Sequence, residues 1–89
     1  MAWRIEFSDD ADRDFSNLEK SIQRRVFRYL PERVVVAADP RDLGEPLAHD
    51  LAGLWRYRVG DYRVLCRIED ENLTVLVVEI GHRGTIYKR

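Results

Sequence analysis

Arginines alternate with aromatic and aliphatic residues through positions 55–67, which makes this segment the part of the chain best suited to bind an anion. Its cationic positions are Arg56, Arg58, Arg63 and Arg67. A guanidinium stays charged when partly buried, forks onto two phosphate oxygens at once and stacks on nucleobases. Arginines grouped on one surface therefore predict a phosphate-rich ligand.

The glycine and aspartate at 60–61 divide this segment into two halves. If they form a two-residue hairpin loop, Val59 faces Tyr62 and Arg58 faces Arg63 across the two strands. Like charges directly opposite each other destabilise a sheet. A purely structural hairpin gains nothing from this pairing, so it favours a cationic face that receives a polyanion.

A second group of candidate residues follows the last predicted strand, in the segment Gly-His-Arg-x-x-x-Tyr at 81–87. Arg83 adds a further cation. The imidazole of His82 can exchange a proton near neutral pH, and an exposed loop histidine without a role is the alternative. Tyr87 can stack on a base as aromatics do in single-stranded RNA sites, or it can cover part of the core.

Charge and composition limit the class of protein. The formal net charge is −1, but residues 1–50 hold 8 Arg and Lys against 11 Asp and Glu, whereas residues 51–89 hold 7 against 5. The local field decides what docks on a surface, so the low net charge does not exclude an anionic partner. It does argue against tight, non-specific binding to duplex nucleic acid.

The chain of 89 residues predicts one domain spanning 1–89 with a modest core. Cys66 is the single cysteine, so an internal disulfide is excluded. No His/Cys/Asp group has metal-ligand spacing and no glycine-rich loop suits a nucleotide, so we expect neither a metal nor a cofactor. The absence of an apolar span or a signal-peptide pattern predicts a cytoplasmic protein with no membrane partner.

Alternation and capping residues predict the elements that position these side chains. Residues 2–7 alternate as a first strand, and Ser8 is a suitable N-cap for a helix that ends near Glu19. A second helix is predicted to start at or just before Ser21 and to reach about residue 37 with a kink at Pro31. Further strands are predicted at 54–59, 62–69 and 73–80.

The register of the last two strands depends on the length of the turn between them. With two loop residues Arg67 faces Leu76. With three loop residues it faces Val75, and Glu79 lies opposite Arg63, as an ion-pair partner or a base. We favour the longer turn because it points one apolar set into the core. That set is Leu76, Val78 and Ile80.

The order β-α-α-β-β-β predicts an α+β fold in which two N-terminal helices pack on one face of a twisted antiparallel sheet. The other face carries the arginines and is predicted to be open to solvent or to a partner. Trp55, Tyr57 and Cys66 are assigned to the helix-facing core, which leaves Cys66 as a buried thiol and not a nucleophile.

The segment Leu-x-Gly-Leu-Trp-Arg-Tyr-Arg-x-Gly-Asp-Tyr-Arg and the terminal Gly-His-Arg-x-x-x-Tyr resemble the RelE/ParE toxins of bacterial and archaeal toxin–antitoxin pairs. The resemblance covers nearly the whole chain. Its specific part runs from Leu47 to Tyr87 and is closer to the RelE branch. It implies the RelE-like microbial ribonuclease fold.

The resemblance implies a metal-independent endoribonuclease that enters the A site of the 70S ribosome and cuts mRNA there. In such toxins the 2'-hydroxyl attacks the adjacent phosphate and leaves a 2',3'-cyclic phosphate and a 5'-hydroxyl. A cognate RelB-like antitoxin neutralises the toxin. Operator DNA is bound only by the toxin–antitoxin complex.

The resemblance also assigns roles to individual residues. Arg56 and Arg58 match cationic positions of the second strand. On physical grounds they are expected to bind flanking RNA phosphates or to stabilise the leaving 5'-oxygen. Arg63, Arg83 and Tyr87 match the phosphate-binding arginine, the arginine after the last strand and the C-terminal tyrosine. On physical grounds, Arg63 and Arg83 are expected to clamp the scissile phosphate as its charge grows. His82 completes the expected catalytic set.

Two other functions remain open from the sequence. A ParE-like toxin shares the fold and inhibits DNA gyrase without any nuclease activity. A non-enzymatic module would use the cationic face only to dock an acidic antitoxin or DNA.

Overall fold

The computed structural model of the protein describes residues 3–86. Its helices and strands, in chain order, are β1 (Arg4–Phe7), α1 (Asp9–Ser16), α2 (Lys20–Tyr29), β2 (Glu45–Pro46), β3 (Leu54–Val59), β4 (Tyr62–Glu69) and β5 (Thr74–His82). The strands form one sheet in the order β1-β5-β4-β3-β2, with the two helices packed on it. The predicted α+β fold is confirmed, although the sheet is mixed because β1 runs parallel to β5.

The first helix begins where the sequence predicted. Ser8 caps α1, and its Oγ accepts the backbone N–H of Ala11 at 3.1 Å. Three aspartates in the first turn complement the positive end of the helix dipole. The helix ends at Ser16, earlier than predicted, and α2 starts at Lys20.

Pro31 ends the regular part of the second helix instead of only kinking it. α2 stops at Tyr29 and continues as a π-helical turn over Leu30–Val34, so the predicted helix to residue 37 was too long. Within this turn the backbone N–H of Val35 donates to the carbonyl oxygen of Leu30 at 3.0 Å. The wider turn accommodates a residue that lacks a backbone N–H.

The β3–β4 hairpin has the predicted register. Val59 pairs with Tyr62 and Arg58 pairs with Arg63. Gly60 has a φ of 60°, as the first residue of a two-residue hairpin loop requires.

The favoured register of the β4–β5 hairpin was wrong. Arg67 pairs with Leu76, as the shorter of the two predicted turns requires. Leu73 adopts a φ of 48°, and its N–H donates to the carbonyl oxygen of Asp70 at 3.2 Å, which closes the turn tightly. A positive φ is uncommon for leucine, so composition did not indicate this turn.

A β-bulge then shifts the register by one residue. The irregularity falls between Leu65 and Cys66, and beyond it Glu79 lies opposite Leu65 while Gly81 lies opposite Arg63. Glu79 is therefore not the cross-strand partner of Arg63 that the longer turn predicted. Of the predicted set only Ile80 is buried in the core, and the other buried apolar residues of β5 are Val75 and Val77.

The face of the sheet that points away from the helices is less open than expected at one end. Leu65 on this face has no exposed surface, and Ile86 is only 4% exposed. Side-chain atoms of Ile86 lie 3.3 to 3.4 Å from the point that a Cβ of Gly81 would occupy. The segment after β5 therefore folds back over the sheet beside Arg63. No helix within residues 3–86 is long and apolar enough to cross a membrane.

Candidate active site

Four arginines gather around the β3–β4 turn at 60–61. They come from α2, from β3, from β4 and from the segment after β5: Arg25, Arg58, Arg63 and Arg83. The turn contributes one carboxylate, that of Asp61. The sequence predicted three of these arginines but not the one from α2.

Arg63 is the charged residue of the site with the least exposed surface. It is 7% exposed, and its Nη1 donates to the carbonyl oxygens of Gly60 at 3.0 Å and Tyr62 at 2.9 Å. Within residues 3–86 no carboxylate oxygen lies within 4.0 Å of its guanidinium. A buried charge without a counter-ion is costly, so this position favours an anionic ligand.

Arg83 lies beside the β3–β4 turn and is exposed to solvent. Its backbone N–H donates to the carbonyl oxygen of Asp61 at 2.9 Å, which fixes the segment after β5 against the turn. Its Nε lies 3.8 Å from Oδ1 of Asp61, and both side chains are more than half exposed. An exposed ion pair of this length is weak. The guanidinium can therefore turn toward a stronger anion.

Arg58 and Arg25 extend the charge around the end of the sheet. Arg58 lies opposite Arg63 in the backbone register, yet its side chain lines a groove beside α2. The guanidinium of Arg25 lies over the turn, with Nη1 and Nη2 only 2.8 and 2.9 Å from the point that a Cβ of Gly60 would occupy. A Cβ here would displace only the flexible end of this side chain, so it is the positive φ that favours glycine at this position.

Arg56 is partly neutralised inside the protein. Its Nε and Nη2 donate to the same oxygen, Oε1 of Glu45, at 3.0 and 2.6 Å. Glu45 belongs to β2 and pairs directly with Arg56 in the sheet. Sequence reasoning missed this partner because β2 has only two residues, one of which is Pro46.

His82 lies opposite Tyr62, with the two rings edge to face at 5.5 Å between centroids. Its Nδ1 accepts the backbone N–H of Gly84 at 3.1 Å. In the neutral ring the proton is then on Nε2, which leaves Nε2 as a hydrogen-bond donor. Tyr87, the remaining predicted site residue, lies outside the described residues.

Two buried side chains of the core are unsuited to proton transfer. Burial raises the pKa of the Cys66 thiol well above its ordinary value. Burial is also the main cause that raises the pKa of Tyr57, whose hydroxyl donates to the carbonyl oxygen of Pro40 at 2.6 Å. Among residues 3–86 no group of three or more His, Cys, Asp or Glu side chains could hold a metal ion.

The arrangement suits the binding of a phosphate group. The register puts Arg63 opposite Gly81, two residues before Arg83, so the two guanidinium groups belong to the same end of the sheet. Arg63 is fixed and shielded from water, whereas Arg83 is exposed and only weakly paired with Asp61. A fixed cation such as Arg63 can stabilise negative charge that develops during phosphoryl transfer.

Comparison with known proteins identifies the family. A family model described as the ParE toxin of the type II toxin–antitoxin system parDE matches residues 5–87. Toxin RelG of Mycobacterium tuberculosis is 35% identical over 89 residues, which is the full length of both chains. Toxin RelE of the same organism is 35% identical over 74 residues, covering 72% of this chain and 76% of that protein.

Solved structures agree with the sequence comparison. The RelBE2 toxin–antitoxin complex of M. tuberculosis contains a chain that is 32% identical, with a TM-score of 0.84 and 93% of each chain covered. The isolated RelE toxin of E. coli, at 16% identity and a TM-score of 0.72, covers 91% of this chain and 84% of its own, and it supports the fold alone. This chain therefore belongs to the RelE/ParE family of toxins of type II toxin–antitoxin systems.

Proposed function

We propose that this toxin is a ribosome-dependent endoribonuclease that cuts mRNA in the ribosomal A site. The observation that carries the proposal is Arg63, a buried guanidinium with no carboxylate oxygen within 4.0 Å among the described residues. A protein that gained nothing from this charge would do better with an apolar residue of similar size. A phosphate of the mRNA backbone supplies the missing counter-ion.

In the proposed reaction the 2'-oxygen of one nucleotide attacks the adjacent phosphorus, and the bond from phosphorus to the 5'-oxygen breaks. The 2'-hydroxyl gives up a proton and the departing 5'-oxygen takes one. The products are a 2',3'-cyclic phosphate and a 5'-hydroxyl. Arg63 and Arg83 bind the non-bridging oxygens, where negative charge grows in the transition state. The nucleophile belongs to the RNA, so the proposal needs no metal and no cofactor.

The remaining residues position the RNA. Arg58 and Arg56 bind flanking phosphates, with Glu45 moderating the charge of Arg56. His82 donates a hydrogen bond from Nε2, and Tyr87 stacks on a base next to the cut. The ribosome supplies the in-line geometry that so small a protein cannot impose alone, because orientation accounts for much of the barrier in this kind of reaction.

A RelB-like antitoxin is the proposed protein partner. Two structural relatives come from complexes with such antitoxins, the RelBE2 complex of M. tuberculosis and the RelBE complex of E. coli. We place the protein in the cytoplasm, where ribosomes and mRNA are available. Operator DNA is bound only by the toxin–antitoxin complex in this proposal.

The experiment that tests the proposal is induction of the toxin in cells, followed by mapping of the 5' ends of RNA. The parent chain should stop growth and produce new mRNA ends within coding regions. The Arg83→Ala variant should remain folded and lose both effects, because it removes an exposed cation from the phosphate clamp. Undiminished toxicity of this variant would refute the site assignment.

A ParE-like activity against DNA gyrase is the second candidate, because the matched family model is that of the ParE toxin. Gyrase poisoning leaves mRNA intact and induces DNA damage. The same RNA mapping, combined with an assay for DNA breaks, separates the two activities.

A further inference from the structure

The two helices carry opposite charges. Residues 8–19, which include α1, hold five acidic side chains and one cation, Arg13. Residues 20–33, which include α2, hold five cations and one acidic side chain, Glu32. The near-zero net charge of the chain therefore hides a strongly basic helix.

The basic helix forms one wall of a groove of about 610 Å³. The other wall is the end of β3 and the turn that follows it. This groove is called the α2 groove. Its charged lining residues are Arg24, Arg25, Arg28, Glu32, Arg33 and Arg58. Half-buried Tyr29 also lines the groove.

Most of these charges are not neutralised within the protein. Arg28 and Glu32 form an exposed ion pair at 3.5 Å. Among the described residues no carboxylate lies within 4.0 Å of Arg24, Arg25 or Arg33. The acidic residues of α1 do not reach them. Five arginines facing one glutamate in an open groove repel each other and favour an anionic occupant.

The spacing and type of these cations suit a phosphate backbone. Arg24 and Arg28 are one helical turn apart, which is about 6 Å along the axis. Each guanidinium can fork onto a phosphate. Apart from the arginines, the groove offers few side chains that could read a base edge, since Ser21 and Tyr29 are its uncharged polar members. Binding here would be independent of sequence and dependent on charge.

The α2 groove meets the candidate active site at the β3–β4 turn. Arg25 lies over Gly60 from the helix side, and Arg63 binds the carbonyl oxygen of the same residue from the sheet side. Arg58 lines the α2 groove while its backbone pairs with Arg63. The α2 groove therefore shares Arg25 and Arg58 with the candidate active site, and a nucleic acid held in it is adjacent to Arg63 across the turn.

We propose that the α2 groove binds the phosphate backbone of folded RNA and anchors the protein beside its mRNA substrate. The choice of RNA over other polyanions rests on the proposed ribosome-dependent function. The groove supplies affinity and no chemistry. Its loss should therefore change how well the protein binds and leave the cleavage step itself intact.

The test compares two double variants with the same change in charge. Arg24→Glu with Arg28→Glu reverses two cations of the α2 groove. Arg4→Glu with Arg13→Glu reverses two exposed cations on β1 and α1, outside the groove. Circular dichroism and thermal unfolding establish that each is folded. Should the charge reversal unfold α2, Arg24→Gln with Arg28→Gln replaces it, because glutamine keeps helix propensity.

Binding is measured with a fluorescent RNA duplex of about 16 base pairs and with empty 70S ribosomes. The groove variant should bind both at least about tenfold more weakly. The slope of its log affinity against log salt concentration should be shallower by about one to two. The control should bind like the parent chain. Equal binding by the groove variant and the parent overturns the inference. Unchanged RNA binding with lost affinity for an acidic peptide overturns it in favour of a protein partner.

Cleavage kinetics distinguish a failure of this inference from a failure of the proposed function. On ribosomes programmed with mRNA, the groove variant should show a raised KM and an unchanged kcat. A parent chain that binds RNA through the groove but cuts no mRNA refutes the nuclease and leaves the groove inference standing. A groove variant with normal KM and normal RNA binding refutes the groove inference and leaves the nuclease proposal standing.

Discussion

The guanidinium of Arg63 donates to the carbonyl oxygen of Gly60 at 3.0 Å, so a buried cation is held by the turn of its own hairpin. Both residues are fixed by the sheet register and the positive φ of the glycine. The cation is therefore in place before any ligand arrives. Such preorganisation lets an enzyme stabilise charge without rearranging at the moment of reaction.

Replacement of this cation should separate stability from activity. Arg63→Met keeps most of the side-chain volume and removes a buried charge, so we expect the free energy of unfolding to stay within about 1 kcal/mol of the parent value or to rise. Cleavage of ribosome-bound mRNA should fall by about 100-fold or more. Urea unfolding and a single-turnover cleavage assay measure the two quantities. A variant that is fully active, or that fails to fold, contradicts the role given to this residue.

Glu45 should lower the affinity for RNA, because its carboxylate partly neutralises Arg56. The two side chains share a pair of hydrogen bonds to one carboxylate oxygen. Glu45→Gln keeps the shape and removes the negative charge, so the affinity for RNA should rise by about two- to fivefold at low salt, in line with the modest strength of exposed pairs. Asp42→Asn makes the same change in charge in the connection before β2 and serves as the control. Equal gains in both variants would mean that only net charge matters.

Asp14 should stabilise the part of the β5 edge that extends beyond the end of β1. Its Oδ2 accepts the backbone N–H of Ile80 at 3.0 Å, at a position where β1 has already ended. Asp14→Ala leaves this donor without its partner and should lower the free energy of unfolding by about 1 to 3 kcal/mol. Asp12→Ala, on the exposed face of the same helix, should change it far less. Chemical denaturation of the two variants compares them directly.

Cys66 should resist thiol reagents in the folded protein. Burial raises the pKa of its thiol, so the thiol stays protonated at pH values where an exposed cysteine ionises. Labelling with a disulfide reagent at about pH 8 should proceed at the rate of unfolding. The same reagent should react at once in denaturant. Rapid labelling of the folded chain would contradict the buried position.

The Arg41–Asp70 pair should make stability sensitive to acid. Hydrogen bonding to Arg41 holds the pKa of Asp70 below its ordinary value. The stabilisation is thus present above the unfolded pKa and is lost as the pH falls through the lower folded pKa. Arg41→Gln should reduce stability at neutral pH and flatten its loss in acid. Thermal unfolding measured from neutral pH into this acidic range tests both effects.

The parts of the site that were predicted from the sequence are those set by local geometry. A two-residue loop with glycine fixes its own strand partners, so the pairing of Arg58 with Arg63 followed from the sequence. The β4–β5 register did not follow. It depends on the positive φ of Leu73 and on a bulge opposite Leu65, neither of which has a composition signal.

The residues that sequence reasoning missed are distant in the chain from the positions they contact. Arg25 lies over Gly60 because α2 packs on the sheet, and Glu45 reaches Arg56 through a strand of two residues. Counting charges over halves of the chain also concealed the basic helix, because the acidic residues of α1 lie in the same half. The arginines of α2 would have been found by summing charge over each predicted helix.

The chemistry of the RNA ends is the decisive test of the proposed nuclease activity. Purified toxin is incubated with a labelled mRNA in the presence and in the absence of 70S ribosomes, and the ends of the fragments are determined. We expect cleavage only with ribosomes, leaving a 2',3'-cyclic phosphate and a 5'-hydroxyl, and no cleavage by Arg63→Met. Intact mRNA on ribosomes that the toxin occupies, or fragments with a 5'-phosphate, would contradict it.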